Sequence, residues 1–136
     1  MIVLDSSFLV AYHNERDVHH EAAAKTMADF IAGTWGRGLL LEYVFVEVVT
    51  VVMARRGLAA ATKVGTALLE ASDVDFVSCT ELFLDTFETF RGQGETKLSF
   101  TDAAIVTAAR RYDTPSVATF DRDFEKVDGI IPVPEP

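Results

Sequence analysis

Apolar residues fall along the chain in blocks, and the period changes from block to block. Residues 2–5, IVLD, are a short apolar run ending in Asp-Ser-Ser, the pattern of a buried strand followed by a turn. Residues 17–32, DVHHEAAAKTMADFIA, are alanine-rich, offer Asp17 as a cap and stop at Gly33, which predicts a helix. GTWGRG then reads as a turn, and the LLL after it as a short strand. Residues 42–56 are ambiguous on pattern alone, since the valines favour a strand while the length and the ARRG ending favour a helix. We read a helix, buried nearly all round and closed by Arg55, Arg56 and Gly57.

A second helix over 58–72 runs on from that turn, and VDFVSC, 74–79, alternates partially as a strand does. TELFLDTFETFRGQG opens with a Thr80 cap and ends in glycines, so it predicts another helix. Ser99 opens the next, FTDAAIVTAARRY, which stops before Pro115. SVATF is a strand ending at Asp121, and IIPVP is a last strand at an edge, where prolines are tolerated. Strands alternating with helices imply an α/β fold with a parallel sheet covered on both faces. Ligands of such sheets bind beyond the carboxyl ends of the strands. Asp5 and Asp121 each end a strand and Asp102 lies in the first turn of a helix, so these acids are expected to meet in one cleft.

Composition narrows the reading. A length of 136 residues with 49% apolar content suits one domain with a real core. With no internal repeat, low-complexity tract or linker, residues 1–136 are expected to form a single domain. A net charge of -9 argues against broad, non-specific binding to nucleic acid or anionic membrane. It leaves room for a nucleic acid held locally through metal ions and a few of the twelve basic residues. Cys79 is the single cysteine, which excludes an internal disulfide and fits a buried residue in a reducing compartment. The start, MIVLDSSFLVAY, has no basic leader. The longest apolar run, 39–54, contains two glutamates and falls short of the ~20 residues that span a bilayer. A soluble cytoplasmic protein without a membrane partner is the expectation.

Each acid has a plain structural alternative. Asp5 could cap a turn, Asp102 could complete a capping box with Ser99, and Asp121 and Asp123 could be solvated loop acids. Glu47 fits such a role less well. Tyr43, Val44, Thr50 and Val51, its neighbours three and four residues away, cannot neutralise it. Exposure at an edge, or pairing with a distant arginine, is the plain alternative for Glu47. Several carboxylates in one cleft repel each other and call for a cation. Oxygen ligands suit Mg2+ or Mn2+, whereas zinc would want Cys or His. A site of that kind activates water for in-line phosphoryl displacement.

Asp5 in IVLDSSFLVA, Glu47 in YVFVEVVTVVMARRG, Asp102 in LSFTDAAIVTAAR and Asp121 in VATFDRDF resemble, in order and spacing, the acidic quartet of PIN-domain ribonucleases. The length and the closing TFDRDF…GIIPV resemble the VapC toxins of toxin–antitoxin pairs. The resemblance implies a three-layer α/β/α fold around a parallel sheet and Mg2+- or Mn2+-dependent endonuclease activity on RNA. It implies catalytic and metal-binding roles for Asp5, Glu47, Asp102 and Asp121, with Asp123 assisting. Ser6 matches the small hydroxyl residue that follows the first aspartate, and Ser99 supports Asp102. A small VapB-type antitoxin and a homodimer are the implied partners, and the apolar helix pair over 42–72 could supply part of either interface, or simply be core. Glu42 departs from the family pattern, being a surface acid or a competitor of Glu47 for the cation.

His13, His19 and His20 lack zinc spacing and read as capping or solvent-facing. The pairs Arg55–Arg56 and Arg110–Arg111 read as helix-end charges favoured by the dipole. Arg122, between two acids, is the best single candidate for a phosphate contact. Rivals to an RNase toxin are a stand-alone PIN nuclease in RNA processing, a non-catalytic binding domain and a small-substrate phosphatase. The intact set of four acids argues against the second. The lack of an Asp-x-Asp nucleophile motif or a Gly-rich phosphate loop argues against the third.

Overall fold

Five apolar runs of three or four residues pair into one all-parallel sheet in the computed structural model, which describes all 136 residues. The strands are β1 (Ile2–Leu4), β2 (Gly38–Leu41), β3 (Val74–Val77), β4 (Ser116–Ala118) and β5 (Ile131–Val133), in the order β3-β2-β1-β4-β5. Val3 lies between Leu39 and Val117. The central strands β1 and β2 are buried along their whole length, which is why they read as unbroken apolar runs. β3 and β5 form the edges, and β5 carries Pro132 there as expected.

Six helices connect the strands: α1 (Ser6–Tyr12), α2 (His20–Ile31), α3 (Glu42–Arg56), α4 (Leu58–Glu70), α5 (Phe83–Arg91) and α6 (Phe100–Arg111). A short 3-10 helix, Arg122–Lys126, precedes β5. The strand order runs one way from β1 to β3 and the other way from β4 to β5. Right-handed crossovers then put α1–α4 on one face and α5–α6 on the other, the expected three-layer α/β/α arrangement. The direction reverses between β1 and β4, so a crevice opens where the chain leaves those two strands.

Four local expectations change; one is Thr80, which does not cap α5, since that helix starts after Leu82 without a side-chain cap. The segment after Asp5 continues into α1 instead of a loose turn, with the Asp5 side chain accepting the Ser6 N–H as N-cap. The structure confirms a helix over 42–56 but not its burial nearly all round. Only Val44, Val48 and Val52 are buried, one residue per turn, whereas Val46 and Met53 face outward. The fourth change is at Asp17, which accepts the His19 N–H just ahead of α2 and does not cap the helix itself. Gly57 has φ +89° at the elbow between α3 and α4, a conformation that favours glycine. Cys79 is fully buried.

Candidate active site

The crevice at the switch point is lined by the residues that follow β1 and β4. Asp5, directly after β1, is 2% exposed. Its Oδ1 accepts the Ser6 N–H at 2.8 Å, and its Oδ2 accepts the hydroxyls of Ser7 and Thr119, both at 2.7 Å. Each of those hydroxyls in turn accepts a backbone N–H at 2.9 Å, Ser7 from Phe120 and Thr119 from Asp121. A hydroxyl has one proton to give. With that proton directed at Asp5 and a lone pair at the backbone, the two side chains tie α1 to the end of β4. Ser6 was expected to order the site, but Ser7 and Thr119 carry more of the hydrogen bonding. The signal for them lay in the Ser doublet after the first aspartate and in the threonine before Phe-Asp, both just beyond a strand.

Asp121 caps the 3-10 helix, its Oδ1 accepting the Asp123 N–H at 2.9 Å. Asp102 sits in the first turn of α6 in a full capping box: Ser99 Oγ accepts the Asp102 N–H at 3.1 Å and Asp102 Oδ2 accepts the Ser99 N–H at 3.2 Å. The plain reading of Asp102 as a capping residue therefore holds. It occupies only one carboxylate oxygen, so it does not compete with a second role for the other. Glu47 stands in the second turn of α3, on the flank of the helix beside the buried Val44–Val48–Val52 stripe.

Electrostatics show which acids share a neighbourhood. Burial raises the carboxyl of Asp5 above its ordinary value, the hydrogen bonds from Ser7, Thr119 and Ser6 oppose that rise, and the charge of Asp121 adds to it. Partial burial raises Glu47, Ser6 partly offsets this, and repulsion from Asp5 and Asp121 adds to the rise. Asp102 is pushed up to about 6, chiefly by burial and then by Asp5, with Asp121 a smaller cause. Asp5 and Asp121 thus form the middle of the group, and Glu47 and Asp102 each feel both of them. The carboxylate of Glu42 acts instead on Tyr43 and Cys79. Between the two glutamates, Glu47 is the one that joins the cluster.

The ion pairs of the structure are Arg37–Asp75, Arg91–Glu88, Arg111–Asp85 and Lys126–Asp123. None engages Asp5, Glu47, Asp102 or Asp121. Asp123 is turned to Lys126 at 3.7 Å, and its backbone supports Asp121. Mutually repelling carboxylates without a basic partner fit a hard divalent cation that takes oxygen ligands and keeps part of its water. The side chains do not form a ready-made cage, as no three His, Cys, Asp or Glu groups lie together closely enough to hold an ion.

The remaining candidates separate. His19 stacks on Phe120 with ring centroids 4.4 Å apart, and both line the cleft with Asp121. His20 Nδ1 donates to the Ala11 carbonyl at 2.9 Å, tying α2 to α1. Arg122 is exposed and lines a small adjoining cavity with His19 and Asp121. No helix is long and apolar enough to cross a membrane.

Comparison with known proteins gives a family. No curated protein matches in sequence. Among solved structures the chain is similar to VapC20 of Mycobacterium tuberculosis, a sarcin–ricin loop cleaving toxin, with a TM-score of 0.83 and 24% identity over 93% of this chain and 94% of that one. It is similar to a toxin–antitoxin complex from Klebsiella pneumoniae, with a TM-score of 0.71 and 17% identity over 100% of both chains. VapBC2 from Rickettsia felis, bound to a DNA fragment from its promoter, gives a TM-score of 0.67 and 14% identity over 97% of each chain. These likenesses extend to the fold. A family model described as the PIN domain matches residues 2–130, nearly the whole chain, and this protein therefore belongs to the PIN-domain family.

Proposed function

We propose that this chain is a divalent-metal-dependent endoribonuclease, using Mg2+ or Mn2+, and the toxin of a VapBC-type toxin–antitoxin pair. The observation that carries the reading is the acid cluster at the switch point, centred on buried Asp5 and without a basic partner. Membership of the PIN family, and likeness to VapC20 and two toxin–antitoxin complexes, support the toxin role.

Asp5 and Asp121 would hold the cation, with Glu47 and Asp102 as further ligands, directly or through water. A bound Mg2+ or Mn2+ supplies an acidified water and neutralises charge on the scissile phosphate. The chain's own work is positioning. Ser7 and Thr119 fix the rotamer of Asp5 and oppose the effect of burial on its charge by directing their hydroxyl hydrogens at it. Ser6 sits against Asp5 and Glu47 and helps hold them apart. The Ser99 capping box fixes Asp102 on a rigid helix end. Asp123, engaged with Lys126, would act mainly through its backbone N–H on Asp121, and exposed Arg122 would be the candidate for a substrate phosphate beside it. Outward-facing Phe83, Leu84 and Phe87 on α5, with Val46, Met53 and Leu58 on α3 and α4, offer apolar area to a small antitoxin or a second copy.

Cleavage of a mixed RNA pool tests the chemistry. Wild type is expected to cut with Mg2+ or Mn2+ and to stop in EDTA, while Asp5→Asn and Glu47→Gln do not cut. Metal-independent cutting, or cutting by Asp5→Asn at the wild-type rate, would remove the metal-site reading. Growth arrest on expression, relieved by the product of an adjoining small gene, separates a toxin from an RNA-processing nuclease.

A further inference from the structure

A second cavity, of about 800 Å³, lies between the loop after α1 and the elbow joining α3 to α4. Arg16, Arg55, Arg56 and Lys63 line it, with Glu15 as their only acidic neighbour there. In three other concavities that contain a cation, carboxylates outnumber cations. Arg122 lies with Asp121, Glu125 and Glu135, and Arg110 and Lys126 lie with Glu88, Glu95 and Asp128. None of the four residues takes part in an ion pair. In a chain of net charge -9, a third of the twelve basic residues thus gather, unneutralised, in one concavity.

This concavity adjoins the acid cleft. Arg55 lines both, sharing the cleft with Glu47 and Asp121. The walls are joined by Arg56, which donates to the His13 carbonyl at 2.7 Å and so braces the elbow against the loop. Burial, and secondarily Arg56, lower His13 below its ordinary value, so the ring adds no positive charge near neutral pH.

We propose that this basic cavity is a phosphate-binding site for single-stranded RNA, holding the backbone on one side of Arg55 while a neighbouring linkage lies at the acids. The proposal rests on the nuclease reading for its ligand. Three of the four cations are arginines, whose planar guanidinium groups pair with phosphate oxygens. In an acidic protein, a group of cations outside any ion pair favours the place where a polyanionic strand enters. Phosphate contacts position a strand without reading its sequence. One pair at a helix end thereby gains a use beyond the helix dipole: Arg55 and Arg56 close α3 and also line the concavity.

Binding measured without cleavage tests this. A fluorescein-labelled single-stranded RNA of mixed sequence is titrated in EDTA over a range of salt, reading anisotropy. Arg16→Ala/Lys63→Ala removes two exposed cations. It is expected to weaken binding about tenfold at low salt and to flatten the log K against log salt line by about 1.4, roughly 0.7 per lost contact. Lys97→Ala, an exposed lysine outside the cavity, is expected to change affinity less than about twofold. A melting curve confirms that the double variant is folded. Affinity and slope equal to wild type would overturn the proposal; so would failure of wild type to bind RNA at low salt. An acidic protein segment as the true occupant would give the first of these results. Cleavage run in parallel separates the two readings. RNA bound through the cavity but cut with neither metal removes the nuclease and keeps the site. RNA cut by the double variant with an unchanged KM removes the site and keeps the nuclease.

Discussion

The two charged concavities of this protein meet on α3, where Glu47 and Arg55 are eight residues, about 12 Å, apart along the helix axis. They are built in opposite ways. The acid cleft draws Asp5, Glu47, Asp102 and Asp121 from four separated segments, brought together by the ends of β1, β2 and β4 and the start of α6. Its central carboxylate is buried and receives hydrogen bonds on both oxygens. The basic cavity takes its cations from one loop and one helical elbow, and all four are exposed. A site that must hold carboxylates against mutual repulsion needs rigid support from several elements. A site that supplies only charge needs none. The cleft should therefore fail on the loss of a single charge at constant shape, and the cavity should tolerate exchange of one cation for another.

Asp5→Asn breaks the comparison most sharply. The amide keeps the volume but not the charge, and it cannot accept two hydroxyl protons and a backbone N–H in the same geometry. RNA cleavage is expected to fall at least ~10^3-fold with the helical circular dichroism unchanged. Arg55→Lys, by contrast, is expected to cost less than about tenfold, seen in KM. An equal loss in the two variants would deny the difference between the concavities.

Glu47→Gln comes next. It is expected to lower cleavage by about 10^2-fold or more, while Glu42→Gln stays within about threefold of wild type. Glu47 is coupled to Asp5 and Asp121 whereas Glu42 faces Tyr43 and Cys79, so the reverse result would move the ligand one and a half turns back along α3. Melting temperature should not fall in Glu47→Gln, because the charge it removes is repelled by its neighbours.

How much of this was legible in the sequence follows from the same contrast. Asp5, Asp102 and Asp121 stood out because each lies at or near a helix start, where an α/β sheet opens a crevice, and Glu47 because it is a carboxylate inside an apolar run. The basic cavity was not, since Arg55–Arg56 has a sufficient local explanation and only folding brings Arg16 and Lys63 alongside. α1 was missed because its seven residues follow a strand after one capping aspartate, and Asp-Ser-Ser equally well begins a turn. α3 misled in another way: valine at nearly every position hides which face is core. Val48→Ala should destabilise by about 2 kcal/mol and Val46→Ala by less than about 0.5, read by denaturant melts. Equal effects would mean that the outer face of α3 is covered in solution, as a dimer or antitoxin interface would cover it.

The smallest effect expected is a pH dependence confined to the acid side. Asp102 ionises near its ordinary value of 3.8 in the unfolded chain and at about 6 in the fold. A raised carboxyl binds its proton more tightly when folded, so its contribution to stability is full below the unfolded value and declines as pH rises through the folded one. In metal-free protein, wild type should therefore lose stability relative to Asp102→Asn between about pH 4 and pH 6, and the gap should stay constant above that. Partial exposure discounts the full shift to about 1–2 kcal/mol, or roughly 3–7 °C in melting temperature. The asparagine keeps an oxygen for the Ser99 N–H, so the capping box survives and the difference reports the charge. No corresponding change is expected for Arg16→Ala/Lys63→Ala, which leaves the four acids of the cleft in place. A gap that is already complete at pH 4 would mean that Asp102 ionises normally and that the carboxylates lie farther apart than their repulsion implies.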